Sequence, residues 1–580
     1  MDEPRLLLGP LLRYVDHHEA TVWVETDRAC TVTVQVGEAG EFAEPTWSVH
    51  GHHYALVQIT GLATATVHPY SVRLDEVDVW PEPDSQYPPS VIRTLGDDGT
   101  LRLAFGSCRR VAPFDEKGLK SFGADALVAM AERMCLTPHE AWPDGLFMAG
   151  DQIYADEPSP ELTQRLLEKH GDPPEGREEV KGEVWDFEEY TWLYYESWSP
   201  EPVRWLLSTV PTCMLLDDHD LRDDWNTSRA WRDEVTQKAW WRDRVVGAFG
   251  SYWVYQHLGN MSPHQLASDT MFATVRRESD DTRRTLELDG FAWRSDAEHG
   301  TARWSFVRDF GDDDTLIRLV AIDCRASRHL EPEHRVMVDD TEWKWVVEQA
   351  TATPDGKPIG HLLLGSTLPV LMPRGIHHVE GFNEATAEGE HGRPARALSE
   401  WLRQKVDLEH WPAFRTSFQR MVELMRQVCL APEPPASIVI LSGDVHCSYG
   451  AQAHITDTEH PETLIHQLTM SPFRNPLPLP IKLINRTFDR RGVRAVLRRL
   501  SRSVGVADTG LQWGIDAGPW FANGVMTVVV DGRTARVEID HAEHRGVSQF
   551  LRRTATLPLT AEAGTSGQVT HGDRQLHRLG

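Results

Sequence analysis

Four short stretches near the start alternate apolar and polar residues with a period of two: TVWVE (21–25), TVTVQV (31–36), YALVQIT (54–60) and YSVRLD (70–75). Gly, Pro and Asp turns separate them, and no helical periodicity intervenes, so residues 5–95 predict a small all-β domain, a sandwich of immunoglobulin type. The proline-rich WPEPDSQYPPS (80–90) reads as a stiff connection. Beyond it the pattern changes. Uniformly apolar runs of buried-strand type, LRLAF (101–105), GLFMA (145–149), TCMLL (212–216), LIRLVAI (316–322), HLLLGS (361–366), SIVILS (437–442) and LIHQLTM (464–470), alternate with long helical stretches. Those helices are expected over 118–134, 185–207, about 231–258 and 340–350, which predicts an α/β domain over 96–550. A hairpin is expected around Asp531-Gly532 in VMTVVVDGRTARVEID (525–540), and a polar tail over 551–580.

The residues just after each apolar run carry the chemistry. LRLAF leads into Gly106-Ser107-Cys108, GLFMA into Gly150-Asp151-Gln152-Ile153-Tyr154, and TCMLL into Asp217-Asp218-His219-Asp220. LVAI leads into Asp323-Cys324-Arg325, and SIVILS into Gly443-Asp444-Val445-His446. Ligand sites of α/β sheets lie just beyond the carboxyl ends of strands, so residues far apart in the chain can converge there. Carboxylates gathered this way repel one another and take up protons unless a cation neutralises them. Asp151, Asp218 and Asp444 with His446 suit hard or borderline cations, while Cys108 and Tyr154 add anionic donors for an oxidised metal such as iron. That donor set suits two ions better than one.

Charge sharpens this picture. The chain of 580 residues has 59 Lys and Arg against 87 Asp and Glu, a formal charge of 59 − 87 = −28. Such a surface argues against nucleic acid as the main partner, and a phosphorylated ligand would need local cations. The seven cysteines are scattered without a CxxC, so neither a disulfide framework nor a zinc ribbon is indicated. The acidic start and the lack of a long apolar run predict a cytoplasmic protein without signal peptide or membrane span. The segment 481–503 carries eight Lys or Arg and one Asp, with Ile484, Phe488, Val496, Leu497 and Leu500 able to form one helix face. A surface helix packed on the acidic body is the favoured reading, ahead of membrane contact. Signatures for dinucleotide, P-loop, zincin and α/β-hydrolase chemistry do not occur.

Together GSC, GDQIYAD, DDHDLRDDW, the Asp-x-Arg at 323–325 and LSGDVH resemble the alkaline phosphatase D (PhoD-like) branch of the calcineurin-like metallophosphoesterases, over residues 5 to about 545. The resemblance implies a β-sandwich core flanked by helices around a bimetal centre of two ions, Fe3+ plus Ca2+ (or Mn2+, Mg2+ or Zn2+). It implies Cys108 and Tyr154 at a ferric-type ion, Asp151 as bridge, Asp218 at the second ion, and Asp444 and His446 completing the shell. The expected activity is hydrolysis of a small phosphate ester by in-line attack of a metal-bridging hydroxide. In that scheme His219 is the acid for the leaving oxygen, Arg325 is the phosphate clamp with Arg328 as a candidate second, and Arg109 is a lesser helper. The rivals are a phosphodiesterase or phospholipase-type activity at the same centre, and a non-catalytic metal-binding protein. Asp223, Asp224, Trp225 and Asn226 depart from the family's more Asn-rich pattern and stay outside the ligand set. His377 and His378 read as a solvated loop near the site, and His541 and His544 as surface residues.

Overall fold

The computed structural model describes residues 3–311, 316–331, 334–353, 356–387, 392–405, 408–456, 462–476, 491–506 and 509–561. Up to residue 93 the chain forms two antiparallel sheets. Leu6–Val15, Ala20–Thr26, His52–Ile59 and Trp47–Val49 make one; Gly40–Pro45, Thr31–Val36, Val67–Leu74 and Val77–Trp80 make the other, with Val91–Arg93 on Val67–Leu74. The period-two pattern explains the layering. Val22, Val24, Val32, Val34, Val57, Val72 and Leu74 point inward and form their own apolar core.

The rest of the chain is built on two larger mixed sheets. In the first, Thr100–Gly106, Gly145–Ala149 and Thr212–Leu215 run parallel, and Gly524–Asp531, Thr534–Arg545 and Ser548–Pro558 extend it antiparallel. In the second, Leu316–Ile322, Ile359–Ser366, Ser437–Ser442 and Leu464–Thr469 run parallel. The sheets stack through Leu103, Phe105, Phe147, Leu215, Leu319, Leu363, Val439 and Leu441, all within 3% of complete burial. Helices cover the outer faces, so the central strands are buried on both sides, which is why they read as unbroken apolar runs.

Several expected elements are subdivided. The helix expected over 118–134 is two, Glu116–Phe122 and Ala126–Cys135, because Gly123, at a φ of 75°, ends the first and Asp125 caps the second by accepting from Leu127 N and Val128 N. The aromatic block is broken at Ser199-Pro200 into Phe187–Trp198 and Glu201–Thr209. The expected tail from 551 starts too early, since Ser548–Pro558 pairs along Thr534–Arg545; residues 562–580 lie outside the described residues. So do Ile484 and Phe488 of the basic segment, whose described part is the helix Arg491–Ser503, packed on Arg374–Ala387 with Val496 and Leu500 exposed. Among the described residues no helix is long and apolar enough to cross a membrane.

The β domain is tied to the larger unit by buried polar groups. Arg13, on the first strand and fully buried, donates to Thr212 O (3.0 Å), Tyr255 O (2.6 Å) and Gln256 O (2.6 Å). Around it Trp23 and Tyr54 pack on Tyr255, which stacks on Tyr194 with centroids 4.2 Å apart. His52 bridges Glu25 of its own domain (2.8 Å) and Glu188 of the helix Phe187–Trp198 (2.6 Å). Burial opposes protonation of His52, but Glu188 and Glu25 outweigh it and lift its pKa to about 9.

Arg13→Met is expected to cost about 2–4 kcal/mol, because three buried carbonyls lose charged donors; denaturant unfolding measures it. For His52 the folded-state pKa lies above the unfolded one, so its contribution is complete below about pH 6.5 and is lost as pH rises through about 9. His52→Gln should remove on the order of 1–2 kcal/mol of this alkaline loss of stability, a value discounted for the half-exposed Glu188. Unfolding curves of both proteins across that range give the difference.

Candidate metal centre

The centre lies where the parallel strands of both sheets end. Loops from opposite sheets approach there more closely than ordinary side chains allow. A Cβ on Gly150 would stand 2.5 Å from Asp217 Cβ, and one on Gly443 would strike Ser107 Oγ. Cys108, Asp151, Asp444 and His446 all have positive φ, between 48° and 63°, with Asp224 nearby at 58°. Non-glycine residues rarely occupy this region, and they do so where surrounding contacts dictate where a side chain must aim. Cys108 N donates to Gly150 O, Arg109 N to Asp151 O, and Asp444 N to Ser107 Oγ at 3.1 Å, so backbone and side-chain bonds tie the three loops together.

Four groups of donors result. Asp151 and Asp218 stand with His219, and Asp218 stands with Asp223 and Asp224, which the sequence pattern left outside the ligand set. The two remaining groups share Asp151. Ligand atoms of Cys108, Asp151 and His446 lie within 4.8 Å of one another, and so do those of Asp151, Asp217, Asp218 and Asp444. Tyr154 joins the first group, its hydroxyl 3.4 Å from Asp151 Oδ2, with Cys108 Sγ 3.3 Å from the same oxygen. The sequence-predicted donors Cys108, Asp151, Tyr154, Asp218, Asp444 and His446 are therefore brought together. His219 lies beside them, its ring 4.4 Å from that of Tyr154 and its Nδ1 2.8 Å from Asp156 Oδ1.

The electrostatics call for positive charge. Burial, then Asp217, holds the Asp151 carboxyl well above the usual range, and burial, then Asp217, does the same to Asp444. Burial, then Asp151, raises Cys108 and Tyr154. Asp217 is pushed up to about 6 and Asp220 to about 7, in both cases chiefly by burial. Asp151 Oδ1 and Asp217 Oδ2 are buried without a hydrogen-bond partner among the described residues. Buried carboxylate oxygens left unpaired beside a thiol, a phenol and an imidazole match what bound cations require.

Arg325 requires a correction. Expected to grip phosphate, it is fully buried and committed to acids: Nε to Asp217, Nη1 to Glu409, and Nη2 3.3 Å from both Asp218 and Asp444. It gathers carboxylates, because its guanidinium is shut away from solvent among them. Arg328 is likewise held by Glu409 (2.9 Å) and Asn226 (3.0 Å), and Arg109 by Asp125 and Ser197. His377 is on the helix Arg374–Ala387, not a loop, packed between Phe418 and Trp513. His541 is buried and bonded to Thr554, while His544 is exposed.

The structure adds residues that the sequence pattern does not single out. Asp217 belongs to the second donor group, although the pattern points to its neighbour Asp218. Asp220 accepts from Asp151 N (3.2 Å) and Asp217 N (2.9 Å), bracing two donor loops. Asn475 donates to Tyr154 OH (3.0 Å) and lies 3.2 Å from His446 Nε2. The run of acids at 217–220 is a signal for the first two, and nothing in SPFRNP marks Asn475.

A family model described as a domain of unknown function, DUF7800, matches residues 3–92. No curated protein matches the chain. Among solved structures, PhoD is similar at 12% identity, with 96% of this chain and 90% of that chain covered and a TM-score of 0.57. The chain has a PhoD-like fold. A purple acid phosphatase from yellow lupin (Lupinus luteus) seeds is similar at 9% identity, covering 99% of this chain and 78% of that one, with a TM-score of 0.45. At these identities the PhoD likeness concerns the path of the chain, and the chemistry has to be read from the residues at the strand ends.

Arg325→Met should lower stability by about 3–5 kcal/mol, because Asp217 and Glu409 lose a buried counter-charge. Adding Glu409→Gln should recover part of the loss, and thermal unfolding of the single and double variants tests that coupling.

Proposed function

We propose that this protein is a metal-dependent hydrolase of phosphate esters, with two cations held by Cys108, Asp151, Tyr154 and His446 on one side and by Asp151, Asp217, Asp218 and Asp444 on the other. The observation that carries the reading is the sharing of Asp151 between two donor groups, each compact enough for one ion. Its buried, unpaired Oδ1 beside an Oδ2 in contact distance of Cys108 and Tyr154 gives it the place of a bridge. Bound there, the cations supply Lewis-acid activation of water and neutralise charge on the phosphoryl oxygens. The anionic donors of the first group, a phenolate and a thiolate once ionised, favour an oxidised iron, and a small-molecule ester is the substrate class that the centre suits.

The chain's own groups divide the remaining work. Asp156 holds His219 through Nδ1, which leaves Nε2 to hand a proton to the departing oxygen. Burial works against charge on His219, and Asp156, foremost among the acids around it, favours the protonated ring. Asn475 orients the Tyr154 hydroxyl and the His446 ring from the far side. Arg325 keeps Asp217, Asp218 and Asp444 in register and, being buried, supports the centre without touching the ester.

Asp151→Asn should abolish hydrolysis of an aryl phosphate, by at least about a thousandfold in kcat, while the thermal transition stays intact. Retained turnover, or a fully metal-loaded wild type inactive on mono-, di- and triesters alike, would remove the reading.

A further inference from the structure

The basic helix Arg491–Ser503 contributes nothing to the metal centre, and it runs against the charge of the chain that carries it. Five of its 13 residues are arginine and none is acidic, in a protein whose formal charge is −28. Packing on the body, the favoured reading of the sequence, accounts for one side only. Ser501 is buried and Leu497 half-buried, while Val496 is 60% and Leu500 47% exposed. At about 100° per residue, Val496, Leu497 and Leu500 share one arc, and the exposed Arg498, Arg499 and Arg502 share the opposite one.

A second helix, Arg393–Lys405, presents a matching pair. Leu398 and Trp401, three positions apart and so on one face, are 65% and 57% exposed. Both helices pack on Arg374–Ala387. Its Asn383 donates from Nδ2 to Ser399 O (3.0 Å), and a Cβ on its Gly381 would lie 3.9 Å from Ser501 and 3.6 Å from Val506. Positions 381 and 383 point about 200° apart, so the two helices flank the middle one at one level. Four of the ten large apolar side chains that stand exposed among the described residues lie on this pair of helices. Scattered singly, such residues mean little; gathered beside cations, they mark a contact surface.

We propose that the helix Arg491–Ser503, aided by Leu398 and Trp401, docks this protein on a bilayer surface rich in anionic lipid headgroups. A helix with a strongly basic face and low overall hydrophobicity lies in the plane of the interface, its apolar side chains at the acyl boundary and its cations among the headgroups. Tryptophan favours the same layer. Nucleic acid would engage the arginines but leave Val496, Leu500 and Leu398 in water, whereas an anionic bilayer meets both halves of the surface. Salt screens charges more than about 10 Å away, so the nearby arginines govern the contact and the acids of the distant body do not. The proposal stands apart from the two-ion reading of the centre.

Co-sedimentation of the full-length protein with sucrose-loaded vesicles tests this. Vesicles of phosphatidylcholine with about one-third phosphatidylserine should carry the protein down, and phosphatidylcholine alone should not. Raising the salt to about 0.5 M should release it. An arginine near the surface is worth about fivefold in affinity, so Arg498→Gln with Arg499→Gln should weaken binding about 30-fold. Val496→Ser with Leu500→Ser, which leaves the charge unchanged, should weaken it about tenfold. All four residues are exposed, so both double variants should keep the wild-type thermal transition. No sedimentation with the anionic vesicles, equal sedimentation with both lipids, or full binding by either folded variant would overturn the proposal. So would tighter binding of duplex DNA than of anionic vesicles, or a wild-type dimer that Val496→Ser with Leu500→Ser dissociates.

Discussion

Like charges packed out of water dominate this structure. Asp151, Asp217, Asp218 and Asp444 present ligand oxygens within 4.8 Å of one another. Two unit charges about 4 Å apart repel by about 4 kcal/mol even at an effective dielectric of about 20. One guanidinium, Arg325, meets three of these acids together with Glu409. A single positive charge cannot balance that many carboxylates, and burial, followed by repulsion from Asp217, displaces the Asp151 and Asp444 pKa values upward. The proposed cations follow from this deficit as much as from the donor geometry.

Holding such a cluster together demands rigidity, and the fold supplies it from outside the centre. Asp220 clasps two donor loops through backbone N–H groups and is itself met by Gln256 Nε2 at 3.1 Å. Gln256 O in turn receives Arg13 of the β domain. A continuous path of hydrogen bonds thus runs from the first strand of the chain to the strand ends that carry Asp151 and Asp217. The β domain acts as a buttress through this path, and the left-handed backbone at Cys108, Asp151, Asp444 and His446 is the local strain that it helps to hold.

The centre has two sides with different chemistry. Cys108, Tyr154 and His446 supply sulfur, phenol and imidazole on one, while carboxylates dominate the other. Each side also has a histidine held by a carboxylate, His219 by Asp156 and His410 by Glu380. Their surroundings differ. His219 lies over Tyr154 at the edge of the donor groups, and the Nε2 of His410 faces an acid of the cluster itself.

Much of this was legible in the linear chain. Period-two alternation marked the β domain, unbroken apolar runs marked strands covered on both faces, and the positions just after those runs pointed to Cys108, Asp151, Tyr154, Asp218, Asp444 and His446, which the fold brings together. Such signals are local, because a strand's burial and a loop's first residues are written within a few positions of each other. What only the tertiary structure decided was direction and distance. Arg325 follows a strand just as Asp151 does, yet packing turned it inward against Asp217 and Glu409. Asn475 and His410 reached the centre from segments with no pattern of their own. Periodicity records which residues avoid water; it carries no record of which polar groups meet across a sheet, since those partners are chosen by the path of the whole chain.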